Sequence, residues 1–257
     1  ILLCVIFFIL ILGVDSAASA ATPQSLSLGH VLKRWGYKAS PITVKNGFLY
    51  INASINKHRA SAILDIGSAA INVIKGTAKK LKLATFNTTK NAGVDMHGKK
   101  TFQKSVILEN VTIGSIKLSD VNANVFQHVA PCNVPTLVLG RVFLKRYHAI
   151  IDLSQKKLYL DYKKLSQFAM NKIQNTLLRQ QSRAVPLLSL GSGSMVIPVQ
   201  INHFTPVLFL FDTGTGVTLL SQAYAKIQHL KQAQNTKEIL ITKLIMNPLN
   251  LSFQPKV

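Results

Sequence analysis

Short runs in which apolar and polar residues alternate fill the chain between residues 42 and 161, and this period of two is typical of β-strands. The clearest run is Phe48 to Ile55, after which the polar pair at residues 56–57 predicts a turn. Further strands are predicted at residues 60–64, 106–108, 111–113, 116–118, 121–126, 136–139, 149–153 and 157–160. Strands this short and this frequent favour a barrel or a sandwich, so the predicted fold class is all-β.

A different period governs residues 163–179, where apolar side chains recur at the three- and four-residue spacing of a helix. We predict a short amphipathic connecting helix whose apolar side packs against a β-lobe. Strand character returns at residues 185–211 and ends at Asp212. The apolar stripe consists of Leu165, Phe168, Ala169, Ile173 and Leu177.

Two aspartates are approached by similar stretches of sequence. Ile55 precedes Asp65 by 10 residues, and Ile201 precedes Asp212 by 11 residues. Each stretch reads strand, turn, strand, Asp-x-Gly, and the two copies lie 147 residues apart. A single long period of this kind predicts two similar lobes rather than a solenoid.

Each of these aspartates ends an apolar run, where a buried carboxylate is costly to ionise unless it is hydrogen-bonded. Gly67 and Gly214 stand two residues later and allow a tight turn and close approach of another chain segment. Ser68 and Thr215 follow the glycines, and we expect their hydroxyl groups to donate to the carboxylates.

The sequence around the first aspartate, Ala-Ile-Leu-Asp-Ile-Gly-Ser at residues 62–68, resembles the active-site loop of retropepsin-like aspartic proteases. Residues 209–215, Phe-Leu-Phe-Asp-Thr-Gly-Thr, look like a second copy. Residues 137–153 resemble the hydrophobic-hydrophobic-Gly segment, here ending at Gly140, and the following Ile-Asp-Leu strand that close each lobe in that family. The resemblance implies two retropepsin-like β-barrel lobes that pair within one chain, with the second lobe incomplete.

The resemblance also implies an aspartic endopeptidase that acts on peptide or protein substrates. Its catalytic residues would be Asp65 and Asp212, because two carboxylates about 3 Å apart share one proton. One carboxylate takes a proton from the attacking water, and the other donates to the oxyanion that develops on the peptide carbonyl. This chemistry needs neither a metal nor a cofactor. The loop-supporting residues would be Gly67, Ser68, Thr213, Gly214 and Thr215, with Gly140 in the lobe-closing segment and residues 94–101 as a flap.

The residue after the first aspartate departs from the family pattern. The family usually has Thr or Ser at this position, and that hydroxyl ties the two loops together; Ile66 offers only hydrocarbon. We therefore expect a looser site and slower catalysis, unless Ile66 packs against apolar neighbours that fit it. The same departure keeps open an alternative function, an inactive module that binds peptides in its cleft.

The domain boundaries follow from these elements. Residues 1–20 are interpreted as an export signal, 21–41 as a linker, 42–162 as the first lobe, 163–184 as the connecting helix and linker, and 185–257 as a partial second lobe. The export signal is predicted from a nearly unbroken apolar start and the small residues Ala18 and Ala20. We therefore expect a periplasmic or secreted protein, which an uncleaved signal would tether to a membrane.

Basic residues far outnumber acidic ones, with 30 Lys and Arg against 9 Asp and Glu and a net charge of +21. They are scattered in pairs rather than gathered into a tract with aromatic residues, so nucleic-acid binding is not predicted. We expect a solvated surface that is attracted to anionic membranes or acidic substrates. The positive charge should also lower the pKa of both aspartates and move the upper limit of activity toward acid.

One further resemblance leads to a different class of enzyme. Asp-apolar-Gly-Ser followed about 150 residues later by Asp-Thr-Gly-Thr-Gly is also similar to the two phosphate loops of actin-like ATPases. The hairpin before Asp65 and the segment from Gly140 to Asp152 have no counterpart in that reading. The actin-like ATPase remains an alternative that the fold can decide.

Overall fold

A computed structural model describes residues 10–11, 27–94, 100–126, 136–161, 163, 165–179, 185, 187–215, 218–230, 244–246 and 251–253. The central part of the predicted flap, residues 95–99, lies outside the described residues. Described strands outnumber described helices, so the predicted all-β class is confirmed in the form of a mostly-β fold with short helices.

The first lobe is built around one eleven-stranded sheet. Its elements are β1 (Leu10–Ile11), α1 (Leu28–Arg34), β2 (Lys38–Lys45), β3 (Phe48–Ile55), β4 (His58–Leu64), β5 (Ile71–Ile74), α2 (Lys75–Lys80), β6 (Thr85–Val94), β7 (Lys100–Ile113), β8 (Ile116–Phe126), β9 (Thr136–Leu139), α3 (Arg141–Arg146), β10 (Ile150–Asp152) and β11 (Lys157–Leu160). The strand order is β1-β10-β11-β2-β3-β4-β9-β5-β8-β7-β6, and β3 also pairs with β7, which folds the sheet back on itself.

The hairpin that leads to the first aspartate forms as predicted. Asn56 and Lys57 both have positive φ, 47° and 69°, which is the backbone of the tight two-residue turn that suits twisted strands. Ile55 and His58 are paired directly across this turn. Leu49, Ile51 and Ile55 of β3 are buried and Ala53 is partly buried, because one face of the strand packs on the core. The polar pair therefore fixes the register between β3 and β4, and with it the position of Asp65, which follows β4.

Strand β9 positions the end of β4. It lies between β4, to which it is parallel, and β5, to which it is antiparallel, and all four of its residues are buried. Leu64 and Leu139 are partners at the ends of their strands, so the segment after β9 begins beside the segment after β4. Both segments contribute to the site.

The second lobe has a separate five-stranded sheet. Its elements are β12 (Leu188–Ser189), β13 (Met195–Ile201), β14 (Val207–Leu210), α5 (Gln222–Ile227), β15 (Leu244–Met246) and β16 (Leu251–Phe253). Strand β13 is central and pairs with β12, β14 and β15. The pair β13 and β14 corresponds to β3 and β4, so the repeat predicted from the sequence is present as two hairpins that each precede an aspartate.

A helical layer covers one edge of the first lobe. Helix α4 (Gln167–Arg179) packs against α1, and Ile173 and Leu177 share an apolar cluster with residues of α1, β10 and β11. The predicted packing of the connecting helix is confirmed. Phe168 departs from the predicted stripe, because its side chain is 69% exposed and contacts the ring of Trp35 edge-on. No helix in the described part of the chain combines the length and the apolar character needed to span a membrane.

The predicted linker at residues 21–41 is wrong for its second half. Helix α1 and the start of β2 occupy residues 28–41, and Leu32 of α1 is completely buried. The sequence did not reveal this helix because seven residues give less than two full turns of periodic pattern. Its N-terminus is capped by Ser27, whose hydroxyl oxygen accepts from the His30 N–H.

Candidate active site

The two Asp-x-Gly loops face each other across the lobes. Asp65 follows β4, and its N–H donates to the carbonyl of Leu139 at 3.1 Å. Asp212 follows β14 by two residues, and Phe211 between them donates to the carbonyl of Met195 at 2.8 Å. The loops leave equivalent hairpins, so each lobe supplies one carboxyl group to a common site.

The glycine of each loop lies directly against the aspartate of the other. The N–H of Gly67 donates to Asp212 Oδ1 at 3.2 Å. A methyl group on Gly67 would overlap the carboxyl group of Asp212, and one on Gly214 would overlap the carboxyl group of Asp65. These glycines are therefore needed because there is no space for a side chain where the two loops meet.

Each carboxylate also accepts a hydrogen bond within its own loop. The Ser68 N–H donates to Asp65 Oδ1 at 2.8 Å, and the Gly214 N–H donates to Asp212 Oδ1 at 2.7 Å. The expectation for Ser68 is corrected in one respect. Its backbone serves the carboxylate, while its hydroxyl donates to the carbonyl of Ala70 at 3.3 Å. Thr215 lies half-buried at the end of the second loop.

The pKa of Asp65 is raised from 3.8 to about 6. Burial is the main cause, because desolvation penalises the ionised form, and repulsion from the nearby Asp212 adds to it. Hydrogen bonds from the backbone of Ser68 and Gly67 oppose the shift without cancelling it. The prediction that the basic surface lowers the pKa of both aspartates is therefore wrong for Asp65, since local burial outweighs distant charges that water screens.

Thr213 joins the two lobes through its hydroxyl group. This hydroxyl donates to the carbonyl of Leu64 at 2.8 Å and accepts from the Ile66 N–H at 3.1 Å. Ile66 is the corresponding residue of the first loop, is only 1% exposed and belongs to the apolar core of the first lobe. The hydroxyl clasp that the loop sequences predict is thus made by Thr213, while its counterpart contributes packing.

We expect the substitution Ile66→Thr to lower thermal stability and leave the cleavage rate unchanged or reduced. Ile66 is enclosed by apolar neighbours, so the variant loses buried hydrocarbon and places a hydroxyl in their midst, at a cost of about 1–3 kcal/mol. Melting temperature and peptide cleavage measure the two effects, with Ile107→Thr at a half-exposed strand position as the control. A variant that gained stability or rate would mean that the new hydroxyl reaches the carbonyl of Phe211, in the mirror image of the Thr213 bond.

The segment that follows β9 braces the first loop. Gly140 donates to the carbonyl of Ala70 at 3.1 Å, Arg141 donates through its backbone to Ser68 at 2.8 Å, and Val142 donates to Ala69 at 3.0 Å. A methyl group on Gly140 would overlap the carbonyl oxygens of Ser68 and Ala70. The structure therefore brings Gly140 to the back of the Asp65 loop, where only a glycine fits.

Sequence reasoning missed two side chains that hold this loop. Asn72 is 6% exposed, and its amide donates to Ser68 Oγ at 2.8 Å and to the carbonyl of Ala70 at 3.2 Å. Arg141 Nη1 donates to the carbonyls of Ile66 at 3.0 Å and Gly67 at 2.7 Å. The available signals were weak: a polar residue within an apolar strand for Asn72, and for Arg141 its place directly after the lobe-closing glycine. Among the described residues, no group of three or more His, Cys, Asp or Glu is arranged to hold a metal ion.

The hairpins decide against the actin-like alternative. Each aspartate is preceded by an antiparallel hairpin in a mostly-β lobe, and the loops pair through their glycines. Among the described residues most strand pairs of these lobes are antiparallel, whereas an α/β nucleotide-binding fold is built on parallel strands joined by helices.

Residues 51–146 match a family model described as "gag-polyprotein putative aspartyl protease". The matched segment runs from β3 to the end of α3 and includes the Asp65 loop and Gly140, whereas Asp212 lies outside it. The resemblance to retropepsin-like aspartic proteases is thereby confirmed for the first lobe. No curated protein sequence matches the chain.

Solved structures similar to the chain include three aspartic protease folds. A retropepsin-like aspartic protease from Rickettsia conorii is 21% identical over 49% of this chain and 95% of its own, with a TM-score of 0.33. The retroviral protease-like domain of Ddi1 from Leishmania major is 24% identical over 45% of this chain and 90% of its own, with a TM-score of 0.32. An aspartic proteinase from Irpex lacteus is 14% identical over 85% of this chain and 78% of its own, with a TM-score of 0.46.

Proposed function

Since its first lobe is retropepsin-like, we propose that this protein is an aspartic endopeptidase that hydrolyses peptide bonds with one carboxyl group from each lobe. The observation that carries the proposal is the reciprocal packing of the loops, in which Gly67 and Gly214 each lie against the aspartate of the opposite loop. This packing supports the proposal because it brings the two carboxyl groups close enough that, besides burial, Asp212 raises the pKa of Asp65, and sharing one water molecule requires such proximity. An Asp-x-Gly turn with a purely structural role would not need a second such loop packed against it.

The proposed roles of the two aspartates differ. Asp65, whose pKa is raised to about 6, holds the shared proton and donates it to the oxyanion that forms on the substrate carbonyl. Asp212 Oδ1 accepts backbone hydrogen bonds from Gly67 and Gly214, which hold it opposite Asp65, the residue that keeps the shared proton. Asp212 is therefore proposed as the base that removes a proton from the attacking water.

We expect kcat/KM for an unstructured fluorogenic peptide to be highest in mild acid and to fall as the pH rises through about 6. The sign follows from the direction of the shift. The pKa of Asp65 is raised, so the acid form persists to a higher pH than usual and is lost only above it. The measurement is a rate profile from pH 3 to 8, with and without a statine-containing peptide inhibitor and with and without a chelator.

The outcomes of this experiment separate the candidate functions. Inhibition by the statine peptide and indifference to the chelator support the aspartic mechanism. Activity that resists the inhibitor and disappears with the chelator contradicts it. A rate that stays flat between pH 5 and 8 contradicts the role of Asp65 as the acid.

Ile66 supports one second candidate, an inactive module that binds peptides in its cleft. The residue removes one of the two hydroxyl groups that would clasp the loops, although the Thr213 clasp and both carboxyl groups remain. Such a module would bind the statine peptide in a calorimeter and cleave nothing at any pH. The endopeptidase is favoured because both aspartates keep the hydrogen bonds that position them.

A further inference from the structure

Two consecutive peptide groups of the first loop connect the catalytic pair to one cation. The peptide between Ile66 and Gly67 accepts from Arg141 Nη1 through its carbonyl at 3.0 Å, and its N–H donates to Asp212 Oδ1 at 3.2 Å. The next peptide, between Gly67 and Ser68, accepts from the same Nη1 at 2.7 Å, and its N–H donates to Asp65 Oδ1 at 2.8 Å. One nitrogen of Arg141, Nη1, thus donates to the carbonyl oxygens of both peptide groups whose N–H groups donate to Asp212 and Asp65.

Hydrogen bonds joined through a peptide group strengthen one another. A cation at the carbonyl oxygen draws electron density toward that oxygen, which makes the N–H of the same peptide a better donor. The planar guanidinium also fixes the direction of both carbonyls, and hence of both N–H groups. Arg141 is half-buried, so solvent weakens this effect less than it weakens that of an exposed charge.

We propose that Arg141 is a positioning residue that orients and polarises the two peptide N–H groups that donate to Asp65 and Asp212. The inference rests on the proposed function, because it concerns how the same pair is tuned. It goes beyond loop bracing, which the backbone N–H of Arg141 already provides through its bond to the Ser68 carbonyl at 2.8 Å. Removing the side chain leaves that backbone bond in place.

Within the part of the chain that the structure describes, few other charged groups contact the two loops. The charged groups with a described contact to the two loops are Asp65 and Asp212 themselves and Arg141. Lys145 and Arg146 of the same helix are exposed, and Arg146 lies 5.9 Å from the ring centroid of Tyr147. On the hairpins, the charged side chains of β4 stand at its far end, at residues 58–59, and β13 and β14 carry none.

The test compares Arg141→Gln and Arg141→Lys with Lys145→Gln, which removes the same charge from an exposed position of the same helix. The main readout does not require turnover: the carboxyl carbons of the chain's seven aspartates are labelled with ¹³C, assigned with Asp65→Asn and Asp212→Asn, and titrated by NMR. The second readout is the pH profile of kcat/KM. Melting temperature is recorded for every variant.

We expect Arg141→Gln to raise the apparent pKa values of the pair by about 0.5–1 unit and to lower kcat/KM about tenfold, with KM little changed. Arg141→Lys keeps the charge but has a shorter reach, so its titration should lie between wild type and Gln. Lys145→Gln should titrate like wild type. If Arg141→Gln does not fold, the Lys variant decides by the same criterion.

The inference is overturned if the Gln and Lys variants lose stability while the titration of the pair stays at its wild-type position. A shift of the same size in Lys145→Gln would also overturn it, because general charge would then be the cause. A protein that cleaves nothing but shows the Arg141-dependent titration refutes the proposed function and leaves the inference standing. A wild-type protein that cleaves normally, with a titration that does not depend on Arg141, supports the proposed function and refutes the inference.

Discussion

Asp65→Asn and Asp212→Asn should each abolish peptide cleavage while leaving the fold intact. Each substitution removes one of the two groups between which the proton is shared, so the rate should fall at least about 10³-fold. Asparagine has nearly the shape of aspartate and keeps an acceptor for the N–H groups of Gly67, Ser68 and Gly214. Cleavage assays at pH 5 and melting temperatures measure the two effects.

A matched control is available in Asp120→Asn. Asp120 is exposed and has a positive φ of 51°, which asparagine tolerates, so this variant should cleave like wild type. An equimolar mixture of the two site variants should stay inactive, because each molecule builds its site from its own lobes. Activity that survives in Asp212→Asn and rises steeply with protein concentration would instead show that two first lobes pair through two copies of Asp65.

Gly67→Ala should remove nearly all activity and lower the melting temperature. The added methyl group would overlap the Asp212 carboxyl group, so the loops must separate. We expect a loss of about 1–3 kcal/mol in the free energy of unfolding and at least about 10²-fold in rate, since a displacement near 1 Å is enough to misalign two reacting groups. Denaturant titration and kcat/KM give the two numbers.

Gly76→Ala is the control for that substitution. Gly76 lies in α2 with open space around its Cα, so alanine there should be neutral or stabilising by up to about 1 kcal/mol. Gly67→Ala and Gly76→Ala with the same activity would show that the loops do not pack as described. The contrast isolates the contact between the lobes from the general effect of replacing a glycine.

The hairpin before Asp65 could be predicted because local signals agreed with the fold. Strands β3, β9 and β11 have the limits that their apolar patterns predict, and a polar pair marks the turn before Asp65. The pairing of loops 147 residues apart came from resemblance, since no local pattern encodes a contact between lobes. The sequence therefore identified the two aspartates but not Asn72 and Arg141, the side chains that hold the Asp65 loop in place.

Other elements were hidden by their context. Residues 109 and 110 are both exposed, which breaks the alternation within β7, and the sequence was therefore divided into two strands where there is one. That interruption comes immediately before residues 111–113, where β7 also pairs with β3. Helices α2 and α3 have six residues each, too few for a periodic signal. Arg141 was one of 30 basic residues, and only its contacts distinguish it.

The position of Met195 between the two lobes bears on the order in which the lobes fold. This residue begins the central strand of the second lobe, yet its side chain belongs to the apolar core of the first, beside which Leu187 and Phe211 also pack. Within the described residues, the second lobe's own apolar cluster has three buried members, Ile197, Val199 and Ile201. We therefore expect the first lobe to fold before the second condenses on it, so that a chain emerging from synthesis has a folded first lobe before its two aspartates are paired. For the proposed endopeptidase, we expect self-cleavage to require both folded lobes, so that transient separation of the lobes would stop it without unfolding the first lobe.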